Sequence, residues 1–465
     1  MRLETDAAVM VPELDKGFLP AVLWHRAYEK LCGADSGSRD VVIGLGRLDG
    51  TMFHYRMKVL SDTAENAALN LKAVERVIKF LLWQKGGCTI YVAGAPEIGA
   101  ELAKIYAEGG AREFDWDLVG RKMFDKPIEV ISCDAADVPP EKDSTLSLGR
   151  HLDGCRIGFD LGGSDRKCAA VIDGEVVFSE EVKWDPYFEK DPNYHYEGIM
   201  HSLKLAAEHL PRVDAIGGSA AGVYVDNEPR VASLFRGVSE EDFAGKVRPM
   251  FKNIRKEWNN VPFEVVNDGE VTALAGAMSL NATSLLGVAM GTSEAAGYCD
   301  ASGSITTWLN ELAFTPVDYR ENGPVDEWAG DEGCGVQYFS QQAVARLMPA
   351  AGIEHPEDMP LPERLELVQS LMEQGDERAA KIYETIGIYL GYSLAWYAEF
   401  YEIEHLLLLG RVTSGEGGRI IIRKAEEVLA AEFPELKIAI SMPDEKMKRH
   451  GQAIAAASLA SLSEQ

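Results

Sequence analysis

Cysteine is scarce in this chain. Its 465 residues hold seven, at Cys32, Cys88, Cys133, Cys155, Cys168, Cys299 and Cys334, with no Cys-x-x-Cys pair. That excludes a disulfide frame and a zinc knuckle, and an odd, scattered set reads as the reduced thiols of a cytoplasmic protein. Positive charge is scarce too: 46 Lys and Arg stand against 74 Asp and Glu, a formal charge of −28. A field of that sign opposes nucleic acid and anionic membranes as partners. No apolar run approaches a membrane span, and the opening MRLETDAAVM has no basic-then-apolar leader pattern. What is present is hydrophobic matter, 46% of residues, enough at this length for two or three domains.

The chain is organised around Arg156–Val177. An apolar run ends in Asp160, Gly162 and Gly163 follow, and Cys168–Ile172 and Glu175–Phe178 give two further runs. The pattern predicts strand, Gly-rich hairpin, strand, turn, strand. Two glycines leave backbone N–H groups open to a phosphate, and Ser164 adds a hydroxyl donor. An aspartate at a strand end can hold Mg²⁺ through its water shell. Taken alone, the stretch is equally well read as an ordinary hairpin with left-handed glycines.

Upstream, Val41–Leu45 and Met52–Leu60 read as strands about a Gly46–Gly50 turn. Asn66–Gln84 follows as a helix, Thr89–Ala93 as a strand and Glu97–Glu108 as a helix, while Met1–Asp40 is weakly patterned. The same order follows Arg156, with a helix around Gly198–Leu210, a strand Val213–Gly217 and the small-residue loop Gly218–Gly222. Asp40–Gly110 therefore reads as a degenerate copy of Arg156–Gly222, with Gly44 where Asp160 stands, or as a chance likeness of two αβ units. The polar Asp134–Ser147, with its Pro-Pro, is the expected linker. It sets domains at 1–147, 148–275 and 276–465, the C-terminal helix being free to return to the middle domain. Strands are expected at Val261–Val266, Leu285–Met290 and Leu406–Leu409, and helices at Gly269–Leu280, Asp376–Phe400, Gly417–Glu432 and Glu445–Leu462.

Three Gly/Ser/Thr turns thus stand at strand ends far apart in sequence: Asp160–Ser164, Gly291–Ser293 and Gly410–Gly418, with Asn267-Asp268 after a fourth strand. The ordered series resembles the superfamily of sugar kinases, Hsp70 and actin, and within it the ROK family of sugar kinases and regulators. FDLGGSD resembles that family's first phosphate motif, with Ser164 for threonine, and Val266–Gly276 its Asn-Asp catalytic stretch. Met290–Ser293 through Gly297-Tyr298 resembles the second phosphate motif, and Asn310–Val317 the Gly-Glu-x-Gly-His region. Gly333–Ser340 resembles the stretch after the zinc cysteines, and Ala379 through Gly410 the helix and strand before the adenosine motif.

The resemblance implies an α/β fold of the two-lobed actin/Hsp70/hexokinase-like (ribonuclease H-like) type, with an extra N-terminal αβ unit. It implies transfer of a phosphoryl group from ATP, with Mg²⁺, to a hydroxyl of a sugar-like compound. Asp268 would be the general base and Asp160 the metal carboxylate. Gly162, Gly163, Ser164, Arg166, Gly291, Thr292, Ser293, Gly410, Arg411 and Gly417 would contact the nucleotide. Asn267, Glu311, Gly222 and Gln337 would meet the acceptor. A homodimer is compatible with this reading.

Departures from the family pattern cluster in the acceptor pocket. Phe314 stands at the zinc histidine and only Cys334 survives of its cysteines, so no zinc is expected. Gln337 stands where a glutamate is usual, Ser233–Arg236 lacks the sugar-loop asparagine, and Arg411 replaces a second glycine. Asp165 adds a negative charge beside the phosphates. His195, among Tyr187, Tyr194 and Tyr196, reads as part of a polar aromatic surface loop, and Trp396, Tyr397, Phe400 and Tyr401 as core. The plain reading of Asp268 is an Asx turn. Competing classes are a non-catalytic ATP- or sugar-sensing protein, with Asp40–Gly110 as its interaction module, and a DNA-binding regulator, which the charge opposes. GGSDRK is also similar to a turn in activator ATPases of radical dehydratases, whose paired cluster cysteines are missing here.

Overall fold

The computed structural model describes residues 3–143, 148–443 and 451–462. Helix α1 (Ala21–Ala34) leads into the hairpin β1 (Arg39–Gly46) and β2 (Met52–Val59), then α2 (Ala67–Gln84), β3 (Thr89–Ala93), α3 (Pro96–Ile105), a short α4 (Glu113–Asp115) and β4 (Glu129–Cys133). This sheet runs β2-β1-β3-β4.

The middle unit holds β5 (Cys155–Leu161), β6 (Asp165–Ile172), β7 (Glu175–Lys183), α5 (Pro192–Ala207) and β8 (Ala215–Ala220). A small hairpin, β9 (Val223–Val225) and β10 (Glu228–Val231), precedes α6 (Glu240–Asp242), α7 (Met250–Glu257), β11 (Phe263–Asn267) and α8 (Asp268–Leu280). Its main sheet runs β11-β8-β5-β6-β7, with β5, β8 and β11 parallel. The last unit holds β12 (Leu285–Met290), β13 (Glu294–Cys299), α9 (Gln341–Leu347), α10 (Leu361–Glu373), α11 (Glu377–Tyr397) and β14 (His405–Leu409). It ends with α12 (Gly415–Glu432), β15 (Ala439–Ser441) and α13 (Gln452–Ala457), and its sheet runs β13-β12-β14-β15 with the last three parallel.

The middle and last sheets share one topology, an antiparallel hairpin whose first strand gains parallel neighbours on its other side. The first sheet departs from it. There β3 runs antiparallel to β1, where β8 runs parallel to β5. Asp40–Gly110 is therefore not a copy of Arg156–Gly222: the element order agrees and the strand direction does not. Residues 144–147 of the expected linker, with its boundary, and residues 445–450 of the expected last helix lie outside the described residues.

Alternation along β5 sets the two faces of the middle sheet. Ile157, Phe159 and Leu161 join a core with Ile199 and Leu203 of α5 and Phe251 and Ile254 of α7. The alternate residues face α13, which returns to this sheet. Gly158 and Gly217 admit that helix, since a Cβ on them would lie 2.3 Å from the Ala453 carbonyl and 1.8 Å from that of Ala456. Buried Arg156 donates to the Ala460 carbonyl at 2.7 Å and closes the joint.

The N-terminal unit and the last unit share one continuous core. Phe80 stacks on Phe400 at 3.9 Å, and His25 on Trp396 at 4.4 Å. Burying such rings stabilises the contact by roughly 2–3 kcal/mol each, so this unit is a fixed part of the lobe and not a tethered module. Trp24, Tyr28 and Cys32 recur every fourth residue on the buried face of α1, a helix that the weak patterning of Met1–Asp40 conceals. Among the described residues no helix is long and apolar enough to cross a membrane.

Candidate active site

The carboxyl ends of the parallel strands β5, β8 and β11 lie side by side, Asp160 in register with Ser219 and Ala220 with Asn267. Ligands of parallel αβ sheets bind at such strand ends. Asn267 caps α8: its Oδ1 accepts from the Gly269 N–H at 2.7 Å, and its Nδ2 donates to the Gly222 carbonyl at 2.7 Å. Asp268, the first residue of α8, is thereby held against the other lobe. It lines a small interlobe cavity of about 70 Å³ with Ala289, Ala295 and Leu409, just ahead of the second and third turns. Those two turns are neighbours. Gly410, at φ 93°, packs so closely on Met290 that a Cβ would lie 2.4 Å from its carbonyl oxygen.

Carboxyl groups follow one another inward from the first hairpin. Burial pushes the Asp160 carboxyl up, against the Ser219 hydroxyl and the Lys167 ammonium. Burial also raises Asp268, and the Asp160 charge raises it further. Glu311 is pushed up to about 7 by burial and then by Asp268. Glu270 reaches about 8 by burial, although Asn310 Nδ2 donates to it at 2.6 Å. Glu294 is raised well above the ordinary glutamate value by burial and by Glu311.

Beside this series opens a cleft of about 520 Å³, lined by Gly222, Tyr224, Asn267, Glu270, Trp308 and Glu311. The N-terminal unit builds one wall through Arg47 and Asp49. It also positions Glu311. The last carbonyls of a helix lack internal partners, and here those of Trp83 and Gln84 accept from the Glu311 and Asn310 N–H groups, each at 3.0 Å. Arg47 donates to the Gly86 carbonyl at 3.2 Å and the Thr307 carbonyl at 2.9 Å, so the strap Thr306–Glu311 is fastened to the end of α2.

The structure sets Gly222, Asn267 and Glu311 on this cleft and Asp268 beside Asp160 and Glu311, while Gly410 packs on Met290, next to Gly291. Four expected contacts lie elsewhere. Arg166 points away from the hairpin, buried, and donates to the Gly198 carbonyl at 2.8 Å, with His201 Nδ1 at 3.1 Å, because its strand parity turns it to α5. Gln337 does not line the cleft, its amide donating to Gln342 Oε1 at 2.7 Å. Arg411 turns outward to Glu366, and Gly417 is packed on the Tyr383 ring. His195 is fully buried on α5, not on a surface loop, its Nε2 facing the Leu234 carbonyl at 2.9 Å. Trp396, Tyr397 and Tyr401 are core, as expected.

Lys167 was not among the expected contacts. It pairs directly with Asp160 across β5 and β6 and lines with it a second cavity of about 390 Å³ between that sheet and α13. Counting by twos from Asp165 finds it, since alternate residues share a face. Tyr224 was also missed. Val223–Val231 carries the signal of a hairpin, with Asp226 and Asn227 both at positive φ in its turn. Burial and the Asp268 charge raise the Tyr224 phenol. Where the resembled family carries its zinc residues, Cys334 lies 3.7 Å from Asp331, and Phe314 packs on Trp83 at 4.2 Å.

Two ribonuclease H-like lobes closing on strand-end turns define the two-lobed actin/Hsp70/hexokinase-like class. Among solved structures, the ROK hexokinase from Thermus thermophilus aligns over 66% of this chain and 97% of its own, at 17% identity and a TM-score of 0.52. A ROK family transcriptional regulator, described as a homologue of the E. coli MLC protein, aligns over 66% of this chain and 79% of its own, at 17% identity and 0.50. At such identity the likeness is one of fold. No protein-family model and no curated protein matches the sequence.

Proposed function

We propose that this chain is a cytoplasmic phosphotransferase that uses Mg²⁺-ATP to phosphorylate a hydroxyl of a sugar or sugar-like compound. The observation that carries the reading is Asp268, which heads α8 between Asp160 on one side and the Asn267–Glu311 cleft on the other. Asp268 orients the acceptor hydroxyl and takes its proton; Glu311 and Tyr224 hold the acceptor. The N–H groups of Gly163, Ser164, Thr292 and Ser293 meet the phosphates, while those of Gly162 and Gly291 close their turns on the Asp165 and Ser293 carbonyls at 2.9 Å. Asp160 suits Mg²⁺, which is held by one or two carboxylates, waters and phosphates rather than by a protein cage. When bound, the ion neutralises phosphate oxygens as charge builds in transfer. No structural zinc belongs to the reading, and seven free thiols suit a reducing compartment.

Titration calorimetry tests the nucleotide half. Mg²⁺-dependent ATP binding is expected, and Asp160→Ala should weaken it by at least about tenfold. Tight binding untouched by that change would remove Asp160 from the site. Lys167→Met should weaken ATP binding by roughly tenfold, the loss of one charge-assisted contact, with little change in melting temperature. Arg166→Met should do the reverse, lowering stability by about 0.5–1.5 kcal/mol through the lost hydrogen bond to the Gly198 carbonyl, while sparing ATP.

A second reading, a non-catalytic ATP- or sugar-sensing protein, draws on the first hairpin. A Cβ on Gly163 would lie 2.0 Å from the Tyr187 hydroxyl, so a phenol covers part of the turn expected to hold phosphate. ATP binding without product in a broad screen of sugars and polyols would favour it.

A further inference from the structure

Buried His195 of α5 ties two loops together. Its Nε2 faces the Pro186 carbonyl at 3.1 Å, between β7 and α5, and the Leu234 carbonyl at 2.9 Å, between β10 and α6. The first of these loops is also fastened to the Gly162–Ser164 hairpin. Trp184 donates through Nε1 to the Gly162 carbonyl at 2.8 Å and through its N–H to the Ser164 carbonyl at 3.2 Å. Tyr187 thereby returns over the hairpin, its hydroxyl against Gly163. The second loop brings Arg236, whose guanidinium lies 3.9 Å over the Tyr187 ring. Gly237 admits this approach, since a Cβ there would lie 2.6 Å from the Glu189 carbonyl oxygen.

Both donors are uncommitted. Among the described residues no carboxylate pairs with the Arg236 guanidinium, which stacks on Tyr187 and, at 5.4 Å, on Phe188. None of those residues accepts from the Tyr187 hydroxyl either. The hairpin itself is short of positive charge: Asp160 and Asp165 flank its glycines, and Lys167 stands 3.6 Å from Asp165. In a chain of formal charge −28, a guanidinium held by rings alone is free to pair with an anion, and this one is held beside a turn with open N–H groups. We propose that Arg236 and Tyr187 are contacts for the β- and γ-phosphates of the nucleotide, the guanidinium and the phenol donating to them beside the Gly163 N–H. The assignment rests on the nucleotide half of the phosphotransferase reading, and it makes the phenol over Gly163 a part of the site.

Calorimetry of the full chain with ATP, ADP and AMP, each with Mg²⁺, tests the assignment. Arg236→Met keeps the length of the side chain and loses its charge. It should weaken ATP and ADP binding roughly tenfold or more, the loss of a charge-assisted contact, and leave AMP and the melting temperature little changed. Arg236→Lys should recover part of that loss. Tyr187→Phe keeps the ring under the guanidinium and removes the hydroxyl, and should weaken ATP binding about twofold to tenfold. Unaltered ATP affinity in Arg236→Met overturns the assignment, as does a loss that AMP shares equally. Tighter ATP binding by Tyr187→Phe overturns it too, because the phenol would then be a cover on the turn. The phosphotransferase reading fails separately: if ATP binds with this dependence on Arg236 and no sugar or polyol draws ADP from it, the phosphate contacts stand and the transfer falls. If the wild-type chain binds no ATP, both fall.

Discussion

Turnover by the Asp268→Asn variant is expected to fall by roughly 10²–10⁴-fold, the range for losing a general base, with the affinity for Mg²⁺-ATP essentially unchanged. Asparagine keeps the size of the side chain and can still accept from the Gly269 N–H, which Asp268 Oδ1 does at 3.1 Å. The start of α8 therefore stays intact. What disappears is a negative charge beside Asp160, and its loss removes a repulsion from the nucleotide side. Burial and Asp160 both raise the Asp268 carboxyl, so the base is disabled by protonation at a higher pH than an ordinary aspartate. The rate should fall as pH falls through that raised value. The Asp268 charge also helps to push Glu311 up to about 7, so the two carboxyls are coupled and the acid limb belongs to the set. Asp160→Asn should move the limb to lower pH. ADP release measured against pH in the three proteins checks this, and a fully active Asp268→Asn would take the residue out of the chemistry.

Local signals carried the strands of this fold well. The run into Asp160, the Gly162–Gly163 turn and the Asn267-Asp268 cap each occupy the place that period and turn chemistry predict. Strand direction left no such signal. Hairpin, helix and strand follow one another in both Asp40–Gly110 and Arg156–Gly222, yet β3 and β8 enter their sheets in opposite senses, which depends on packing and not on composition. Arg166 was expected at the phosphates because it lies near the glycines in sequence. One residue of parity sends it to α5 and puts Lys167 opposite Asp160. The fusion of the N-terminal unit with the last lobe was illegible for a similar reason: Phe80 and Phe400 stack across 320 positions of chain, and neither marks the other locally. That fusion also explains how the strap bearing Glu311 is kept in place with Phe314, and not a histidine, beside it.

Lys79→Met is expected to destabilise the protein by about 3–5 kcal/mol, the effect of stranding one member of a buried ion pair. Lys79 donates to both oxygens of Asp115 at 2.9 Å and stands 3.4 Å from Asp331, and Lys79 and Asp115 are each 1% exposed. Around them Arg76 and Arg112 both pair with Glu75 and Asp331, so three cations meet three carboxylates with almost no solvent between them. Removing the ammonium leaves Asp115 with the Trp83 Nε1–H, at 2.8 Å, and little else. Lys79→Met combined with Asp115→Leu should recover much of the loss, because an apolar pair of similar volume is often as stable as the ion pair it replaces. Urea unfolding of the four proteins in a double-mutant cycle measures the coupling. The consequence reaches the cleft, since Asp331 opens the loop to Gly335, and Gly335 packs against Glu294 and the Leu312 carbonyl, next to Glu311. Folded Lys79→Met should therefore raise the KM for the acceptor while leaving ATP affinity alone. A single-variant loss below about 1 kcal/mol, the scale of an exposed pair, would show that the network does not hold this loop.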